Sequence, residues 1–296
     1  MKRTDSQPVT FNAVPLAELA PAKINLALHV TGRRADGYHL LESLVVFAEF
    51  GDRIAVSSAA RDSFLVEGRF ARDVPLTNDN LVLRARDMLR AAYPAHPTSP
   101  VSIALEKNLP VASGIGGGSS DAAATLRALV RLWRIPVDVV TLARLALPLG
   151  ADLPMCVAAR PLVARGIGEQ LEPVERLPAL PIVLVNPGVP VETPSVFRAL
   201  ASRDNPPLAP LSDTTAVRDW LTATRNDLEP PAISIEPLVG DALAALRGAG
   251  ASFVRMSGSG ATCFGIFDDS ATAARAAEAI AGERPRWFST ATRTLA

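Results

Sequence analysis

Four glycines and three serines in one short stretch are the residues best suited to chemistry in this sequence. Residues 109–129 read LPVASGIGGGSSDAAATLRAL, with Gly114 and Gly116–Gly118 flanked by Ser113, Ser119 and Ser120. Glycines permit positive φ angles and close approach, so consecutive backbone N–H groups can converge on an anion. A helix that follows adds unpaired N–H groups and partial positive charge. The stretch therefore predicts a phosphate-binding loop, with Ser119 and Ser120 available to phosphate oxygens or a magnesium ion.

The same loop is also compatible with a tight strand-to-helix turn that binds nothing. It is not a Walker A motif, because no Gly-Lys-Ser/Thr follows, and Ser119 stands where the third glycine of a dinucleotide fingerprint would fall. Asp121 likewise replaces the last glycine of a nucleophile elbow. On the loop alone, both the anion site and the plain turn remain open.

Composition narrows the class of protein that must position this loop. The chain has 296 residues, of which 48% are hydrophobic, enough for two domains or one large one. Thirty basic and 30 acidic residues balance, which argues against bulk nucleic-acid binding. Two isolated cysteines and three histidines offer no metal-ligand spacing and indicate a reduced, cytoplasmic setting. The polar N-terminus predicts no signal peptide, and no apolar run predicts a membrane span.

Hydrophobic periodicity predicts a mixture of strands and helices. Alternation over 22–32 indicates a strand, and the segments LLESLVVFAEF and DRIAVSSA predict two more, in an antiparallel sheet. NDNLVLRARDMLRAAY predicts a helix capped by Asn78 or Asp79, and SSDAAATLRALVRLWR predicts another after the glycine loop. PLVARGIGEQLEPV predicts a hairpin.

A second block begins near Leu180, with a strand, a helix, a proline-rich loop and two helical stretches. SFVRMSGSGATCFGIF then predicts two strands around a Ser-Gly-Ser-Gly turn, before a last helix and strand. Because strands and helices mix without strict βαβ repetition, we expect an α+β fold rather than a doubly wound sheet.

Three ordered motifs give the chain a resemblance to a known family. LPVASGIGGGSSDAAA resembles the central motif of the GHMP kinases, PAKINLALHVTGRRADGYHLLESLV their N-terminal motif and MSGSGATCFGIF their C-terminal glycine-rich motif. The resemblance implies an ATP-binding domain over 1–174, like domain 2 of ribosomal protein S5, and a ferredoxin-like domain over 175–296. The chain departs from some members at Ala112–Ser113, where those have further glycines.

The first motif and GADLP, residues 150–154, resemble one branch of that family. That branch uses ATP to phosphorylate a methylerythritol linked to cytidine diphosphate, in the non-mevalonate route to isoprenoids. The resemblance implies a small-molecule substrate, a magnesium ion accompanying ATP, and no nucleic-acid or membrane partner. It leaves the metal ligands and the oligomeric state open.

The resemblance also implies roles for individual residues. Asp152 matches the base that takes the hydroxyl proton, and Lys23 matches its partner. Spacing alone favours Lys23 as a surface charge at a strand edge and is compatible with Asp152 as a helix cap or turn residue. The ATP side is implied to contain Asn80 and Lys107 near the adenine, with Gly114, Gly116, Gly117, Gly118, Ser119 and Ser120 on the phosphates. Otherwise Asn80 begins a helix and Lys107 ends a strand in solvent.

The substrate end is implied to contain Asn25, Tyr38, His39 and Phe197. An aromatic plane and polar groups suit a pyrimidine, although Tyr38 could instead anchor a hairpin and Phe197 belong to the core. The loop Ser257–Thr262 is implied to close the site, or is simply a hairpin turn. His29 and His96 carry no functional signal.

Two other functions remain open on the sequence. One is a GHMP kinase for homoserine or mevalonate, which would have no use for a base-stacking pair at Tyr38 and His39. The other is a non-catalytic nucleotide sensor on the same fold, which would have no use for Lys23 and Asp152.

Overall fold

The computed structural model describes residues 15–211 and 217–296. The N-terminal residues, where we expect no signal peptide, lie outside the described part. The strands are β1 (Leu16–Arg33), β2 (His39–Ser58), β3 (Ser63–Glu67), β4 (Val101–Glu106), β5 (Leu162–Gly166), β6 (Gln170–Pro173), β7 (Pro181–Asn186), β8 (Phe253–Met256), β9 (Cys263–Ile266) and β10 (Phe288–Arg293). The helices are α1 (Leu81–Ala92), α2 (Gly117–Trp133), α3 (Val139–Ala146), α4 (Leu153–Ala158), α5 (Thr193–Arg198), α6 (Val217–Thr222), α7 (Glu229–Ile235), α8 (Leu238–Gly248) and α9 (Ser270–Glu283). Within these ranges, none of the helices has the length and apolar character needed to cross a membrane.

The first sheet is organised around β2. Strand β1 pairs antiparallel with β2 along almost its whole length, while β4 and β5 pair with different halves of β2. Strand order is β3-β4-β2-β5-β6, with β1 on β2. The prediction of two strands over this region is wrong, because the chain continues through Gly51 and Asp52 as one strand of 20 residues. Gly51 lies so close to the Ala20 carbonyl that a Cβ there would collide with it.

Strand β3 was not predicted from the sequence. It pairs in parallel with β4 at the edge of the sheet, and its residues are half-buried or exposed, so its hydrophobic signal is weak.

Helices α1 and α2 cover one face of this sheet. The alanine-rich α2 buries Ala122, Ala123 and Ala124 completely, and small side chains of this kind allow a helix to lie close to the strands. The cap of α1 is Asn80 rather than Asn78 or Asp79, because the Asn80 Oδ1 accepts a hydrogen bond from the Val82 N–H at 2.9 Å. Helix α2 begins at Gly117, two residues before the predicted start.

The second sheet has the order β10-β7-β9-β8 and is antiparallel throughout. Helices α8 and α9 bury apolar residues against it, including Val239, Leu243, Leu246 and Ile280. Three helices, α6 to α8, occupy the region for which two helical stretches were predicted. The α+β prediction is confirmed. The boundary expected at residue 174 falls between β6 and β7 and stays a prediction.

Arg255 on β8 ties the second sheet to β1. Its guanidinium donates to the carbonyl oxygens of Leu26, Leu221 and Thr224, at 2.8, 3.2 and 2.6 Å, and to the Thr224 hydroxyl at 2.9 Å. Burial lowers the pKa of Arg255 to about 10, against the opposing field of Glu229, so the side chain stays charged at neutral pH. Sequence reasoning had not singled out this residue.

Replacing Arg255 with alanine tests how strongly this buried group holds the two sheets together. We expect Arg255→Ala to lower the free energy of unfolding by about 3 kcal/mol, because four buried acceptors lose a charged donor. Arg53→Ala is the matched control, since the Arg53 side chain is 71% exposed and reaches Glu106 only at 4.0 Å. Urea unfolding measures both, and equal stabilities of the two variants would contradict this account.

Candidate active site

Lys23 and Asp152 form an ion pair across 129 residues of sequence. The Lys23 Nζ donates to Asp152 Oδ2 at 2.9 Å. The Lys23 side chain is 8% exposed, whereas that of Asp152, just before α4, is 41% exposed and faces a cavity. The reading of Lys23 as a surface charge is therefore wrong. A buried ammonium of this kind needs its carboxylate, so the pair fixes the position of both groups.

The glycine loop joins β4 to α2 and packs directly on Lys23. Gly114 and Gly116 have φ angles of +76° and +64°, which favour glycine. A Cβ at Gly116 would lie 3.2 Å from the Lys23 Cβ, and the Lys23 N–H donates to the Ile115 carbonyl at 2.9 Å. The strand, glycine loop and helix thus occur in the predicted order.

The Ser257–Thr262 loop closes over the glycine loop. A Cβ at Gly114 would lie 2.6 Å from the Gly260 carbonyl oxygen, so the two backbones meet at a distance that excludes any side chain. The Thr262 N–H donates to the Ser113 carbonyl at 3.1 Å, and the Ser257 hydroxyl to the Gly114 carbonyl at 3.2 Å. This loop therefore contacts the candidate phosphate-binding loop itself.

Asn226 supports the Ser257–Thr262 loop, and sequence reasoning missed it. Its Nδ2 donates to the carbonyls of Met256 and Gly258, each at 2.8 Å, while its Oδ1 accepts from the Leu228 N–H at 3.0 Å. The only signal was an Asn-Asp pair between two helical segments, which is also common in ordinary turns.

Two adjoining cavities meet at Ser119 and Asp152. The first, about 910 Å³, is lined by the glycine loop, Lys23 and Asn25. The second, about 760 Å³, is lined by Tyr38 and His39 among others. Phe197 lines both. The carboxylate of Asp152 therefore stands where a ligand on the glycine loop would meet a ligand from the second cavity.

The residues expected at the substrate end line these cavities. The rings of His39 and Phe197 stack with centroids 4.7 Å apart and an interplanar angle of 25°. Burial, together with the positive charges of Arg33 and Arg203, lowers the pKa of His39, so its imidazole is neutral at pH 7. Tyr38 is 61% exposed. Its ring therefore does not serve as a buried hairpin anchor.

Two polar atoms at this end are buried with no hydrogen-bond partner among the described residues. They are the His39 Nε2 and the Asn25 Oδ1. The Asn25 amide also donates to the Ser43 hydroxyl at 2.7 Å, which orients it. Buried polar atoms are normally paired, so both are positions where a ligand would complete the hydrogen bonding.

Comparison with known proteins decides the family. Residues 80–160 match the GHMP kinases N terminal domain, and residues 197–285 match the GHMP kinases C terminal domain. The 4-diphosphocytidyl-2-C-methyl-D-erythritol kinase of Mesorhizobium japonicum is 58% identical over 279 residues, covering 93% of this chain and 95% of that protein. The enzyme of the same name from Rhizobium etli is 55% identical over 286 residues, covering 96% of each. The chain belongs to the 4-diphosphocytidyl-2-C-methyl-D-erythritol kinase family of GHMP kinases.

Solved structures agree with this family. A crystal structure of 4-(cytidine 5'-diphospho)-2C-methyl-D-erythritol kinase matches with a TM-score of 0.80 and 36% identity, over 95% of this chain and 100% of that one. Homoserine kinase from Cytophaga hutchinsonii shares the fold, with a TM-score of 0.65 and 18% identity over 98% and 97% of the two chains. The expected two-domain GHMP kinase fold is confirmed, and the chain is an ATP-dependent small-molecule kinase.

Two residues expected near the adenine in this GHMP kinase have other partners. Asn80 accepts from the Val82 N–H and donates to the Pro75 carbonyl at 2.7 Å, so both ends of its amide serve the start of α1. Lys107 is 2% exposed rather than lying at a strand end in solvent. Neither residue lines the two cavities, so neither enters the nucleotide site proposed below.

Lys107 lies beneath the start of α2 between two buried carboxylates. Its Nζ donates to Asp52 Oδ2 at 2.5 Å and to Asp121 Oδ2 at 2.7 Å. Burial works against the charged lysine, but Asp121 and Asp52 together raise the pKa of Lys107 above its ordinary value. Burial also raises the pKa of Asp121 well above its usual range, despite the nearby ammonium. This cluster supports the glycine loop from below.

Ser120 also differs from the sequence expectation. Its hydroxyl is fully buried and donates to the Pro21 carbonyl at 2.8 Å, while its N–H donates to the Gly116 carbonyl within α2. Both donors are therefore engaged away from the cavity. Ser119, in contrast, lines both cavities.

The two remaining histidines have structural contacts. The Arg225 N–H donates to His29 Nε2 at 3.2 Å, so His29 Nδ1 carries the proton shared with the Pro206 carbonyl. His96 Nε2 contacts the Trp133 carbonyl at 2.7 Å.

Gly114→Ala tests the close approach of the two loops. A methyl group there meets the Gly260 and Ser257 carbonyl oxygens, and the φ of +76° is itself strained for alanine. We expect a loss of about 2 kcal/mol in stability and an ATP KM raised about tenfold. Gly282→Ala on α9 is the control, because nothing lies within 4 Å of its Cβ, and we expect it to keep both values. Unchanged melting and KM in Gly114→Ala would contradict the contact.

Proposed function

We propose that this kinase transfers the γ-phosphoryl group of ATP to the 2-hydroxyl of 4-diphosphocytidyl-2-C-methyl-D-erythritol, in non-mevalonate isoprenoid precursor synthesis. The observation that carries the proposal is the Lys23–Asp152 ion pair at the meeting point of the two cavities. The names of relatives at 55–58% identity support the substrate. The acceptor enters by the second cavity and the nucleotide by the first.

Asp152 acts as the general base in this proposal. Its carboxylate is the one acidic side chain common to the linings of both cavities, and it is half exposed to them. A carboxylate in hydrogen-bond reach of the acceptor hydroxyl takes its proton as the oxygen attacks phosphorus. The partly open position leaves the second oxygen of Asp152 available to the acceptor while Oδ2 stays on Lys23.

Lys23 holds the Asp152 carboxylate in position, because its ammonium donates to Asp152 Oδ2 at 2.9 Å. Lys23 also lines the first cavity beside the glycine loop, where it adds positive charge to the transferring phosphoryl group.

The ATP phosphates lie on the glycine loop in this proposal. Gly114, Gly116, Gly117 and Gly118 line the first cavity with their backbone, and α2 follows directly with its free N–H groups. No cluster of three or more acidic, histidine or cysteine side chains able to hold a metal occurs among residues 15–211 and 217–296. Magnesium suits this arrangement, because it is commonly held by substrate phosphates and few side chains, here the Ser119 hydroxyl. It would neutralise phosphate charge.

Four side chains contact the acceptor in the proposal. Tyr38 supplies an exposed ring for stacking on the cytosine, and the stacked His39–Phe197 pair forms a second aromatic surface. The buried His39 Nε2, which has no partner among the described residues, supplies a hydrogen bond to the base, and Asn25 Oδ1, equally without a described partner, supplies one in the first cavity, where the acceptor meets the nucleotide. A neutral imidazole can pair with a base edge without repelling the nearby arginines.

Turnover with different acceptors tests the proposed function. With ATP and Mg²⁺, we expect ADP release with 4-diphosphocytidyl-2-C-methyl-D-erythritol and none above background with homoserine or mevalonate. Phosphorylation of either of those two acceptors instead would overturn the substrate assignment. ATP binding without turnover of any acceptor would favour the alternative that this protein is a non-catalytic nucleotide sensor. Product identification by ³¹P NMR establishes which hydroxyl is phosphorylated.

Asp152→Asn tests the proposed base. We expect kcat to fall by about 10³-fold, because the amide cannot accept the hydroxyl proton, while ATP affinity stays within twofold. Asp268→Asn is the matched control, since the Asp268 side chain is 80% exposed and lies outside both cavities. Wild-type turnover in Asp152→Asn would remove Asp152 as the base.

A further inference from the structure

Three arginines line the second cavity together. Arg33 lies at the end of β1, Arg198 at the end of α5, and Arg203 in the loop after α5, and all three are exposed to solvent. Arg198 and Arg203 lie five residues apart, whereas Arg33 comes from a distant segment, so no single sequence motif joins all three. Arg33 and Arg203 are also close enough to His39 to lower its pKa, which places their charge beside the aromatic pair.

These guanidiniums have no carboxylate partner within 4 Å among residues 15–211 and 217–296. Their contacts are neutral: Arg33 Nε donates to the Gly37 carbonyl at 3.2 Å, Arg198 Nη2 to the Ser195 hydroxyl at 2.8 Å, and Arg203 Nη2 to the Arg198 carbonyl at 3.4 Å. Each guanidinium has five N–H donors, so most remain available.

The wall of the second cavity is therefore strongly positive. Among the described residues Asp152 is the one acidic residue in its lining, and that carboxylate is already paired with Lys23. Three like charges around one cavity repel one another, and an anion with two or more charges relieves that repulsion while accepting their free N–H groups. The arrangement suits a phosphate ester, which arginine binds through paired N–H groups.

The anion held by all three arginines does not belong to ATP. Arg198 lines both cavities, but Arg33 and Arg203 line the second and not the first, and the glycine loop, on which the ATP phosphates lie in the proposed function, contributes no glycine between 114 and 118 to the second. An anion that reaches all three guanidiniums must then come with the acceptor. The acceptor named for the relatives carries a diphosphate between its nucleoside and its polyol.

We propose that Arg33, Arg198 and Arg203 form a diphosphate-binding wall that selects a cytidine diphosphate-linked acceptor. This inference rests on the proposed function and adds the specificity determinant to it. Homoserine and mevalonate carry no diphosphate, so the wall stays uncompensated with either one. The aromatic pair then binds the cytosine base, the arginines bind the diphosphate, and Asp152 accepts the hydroxyl proton.

Equilibrium binding separates recognition of the diphosphate from recognition of the cytosine base. Cytidine, CMP and CDP are titrated by calorimetry into the whole chain, with a non-hydrolysable ATP analogue saturating the nucleotide site. We expect wild type to bind CDP at least about tenfold more tightly than cytidine, since hydrogen bonds to charged groups are each worth more than a tenfold factor. The triple variant Arg33→Ala/Arg198→Ala/Arg203→Ala should bind CDP and cytidine equally, with cytidine affinity within twofold of wild type.

Arg34→Ala is the matched control. Arg34 is the sequence neighbour of Arg33 but is paired with Asp36 at 2.7 Å and does not line the cavity. We expect it to keep the CDP preference. Because all four side chains are exposed, the variants should melt within a few degrees of wild type, which differential scanning calorimetry checks.

Steady-state KM values and the salt dependence of CDP binding provide a second test. The triple variant should raise the KM for the diphosphocytidyl acceptor at least about tenfold and leave the ATP KM within twofold. Raising NaCl from about 50 to about 300 mM should weaken CDP binding in wild type more than in the variant, because salt screens the exposed guanidiniums.

Three results would overturn the inference: equal affinity of wild type for CDP and cytidine, an equal loss of affinity for both ligands in the triple variant, or a change in the triple variant's KM for ATP alone. Its failure is distinguishable from failure of the proposed function. A wild type that prefers CDP through these arginines, yet turns over only another acceptor, would retain the wall and overturn the proposed reaction.

Discussion

The ion pair between Lys23 and Asp152 is the contact on which the site depends. It brings the middle of β1 against the start of α4, and it buries an ammonium whose one carboxylate partner among residues 15–211 and 217–296 is Asp152. The glycine loop passes directly over Lys23, so a Cβ at Gly116 would be crowded by the Lys23 side chain at 3.2 Å, and the φ of +64° there also favours glycine. One electrostatic requirement thus sets the positions of a strand, a loop and a helix start.

The second constraint is the close approach of two loops from opposite ends of the chain. Gly114 and Gly258 lie where a Cβ on either would meet the backbone of the other loop at less than 3 Å. Asn226 and Arg255 hold the Ser257–Thr262 side of this contact, by bonding to its carbonyls and to β1. The glycine loop therefore packs against Lys107 on one side and against the Ser257–Thr262 loop of the second sheet on the other. A loop held in this way is pre-organised for an anion, which lowers the cost of binding.

Much of the fold was predictable, because alternating and helical periodicities in this chain are clear and glycine marks its turns. The failures have physical reasons. Gly51 and Asp52 separate the two predicted strands, yet they pair with Pro21 and Ala20 of β1, so β2 is continuous through them. Edge strand β3 buries too little to show a strong pattern. These outcomes depend on neighbours that are distant in sequence.

In the candidate site too, some residues were predictable from the sequence and some contacts were not. The family resemblance identified Lys23, Asp152, His39 and Phe197, which line one pair of cavities. Motif matching could not foresee that Lys107 is neutralised by Asp52 and Asp121, or that the Ser120 hydroxyl points to Pro21. Nor could it join Arg33 with Arg198 and Arg203. Those facts follow from which side chains the fold places together.

A double-mutant cycle on Lys23 and Asp152 tests the central claim most directly. Single-turnover phosphorylation of the diphosphocytidyl acceptor is measured for wild type, Lys23→Met, Asp152→Asn and the variant carrying both changes. If the two groups act as one unit, the double variant should be about as slow as Asp152→Asn alone, because removing the second member of a catalytic pair costs little more. Losses that multiply independently would contradict the account, because they would show that Lys23 stabilises the transferring phosphoryl group without Asp152.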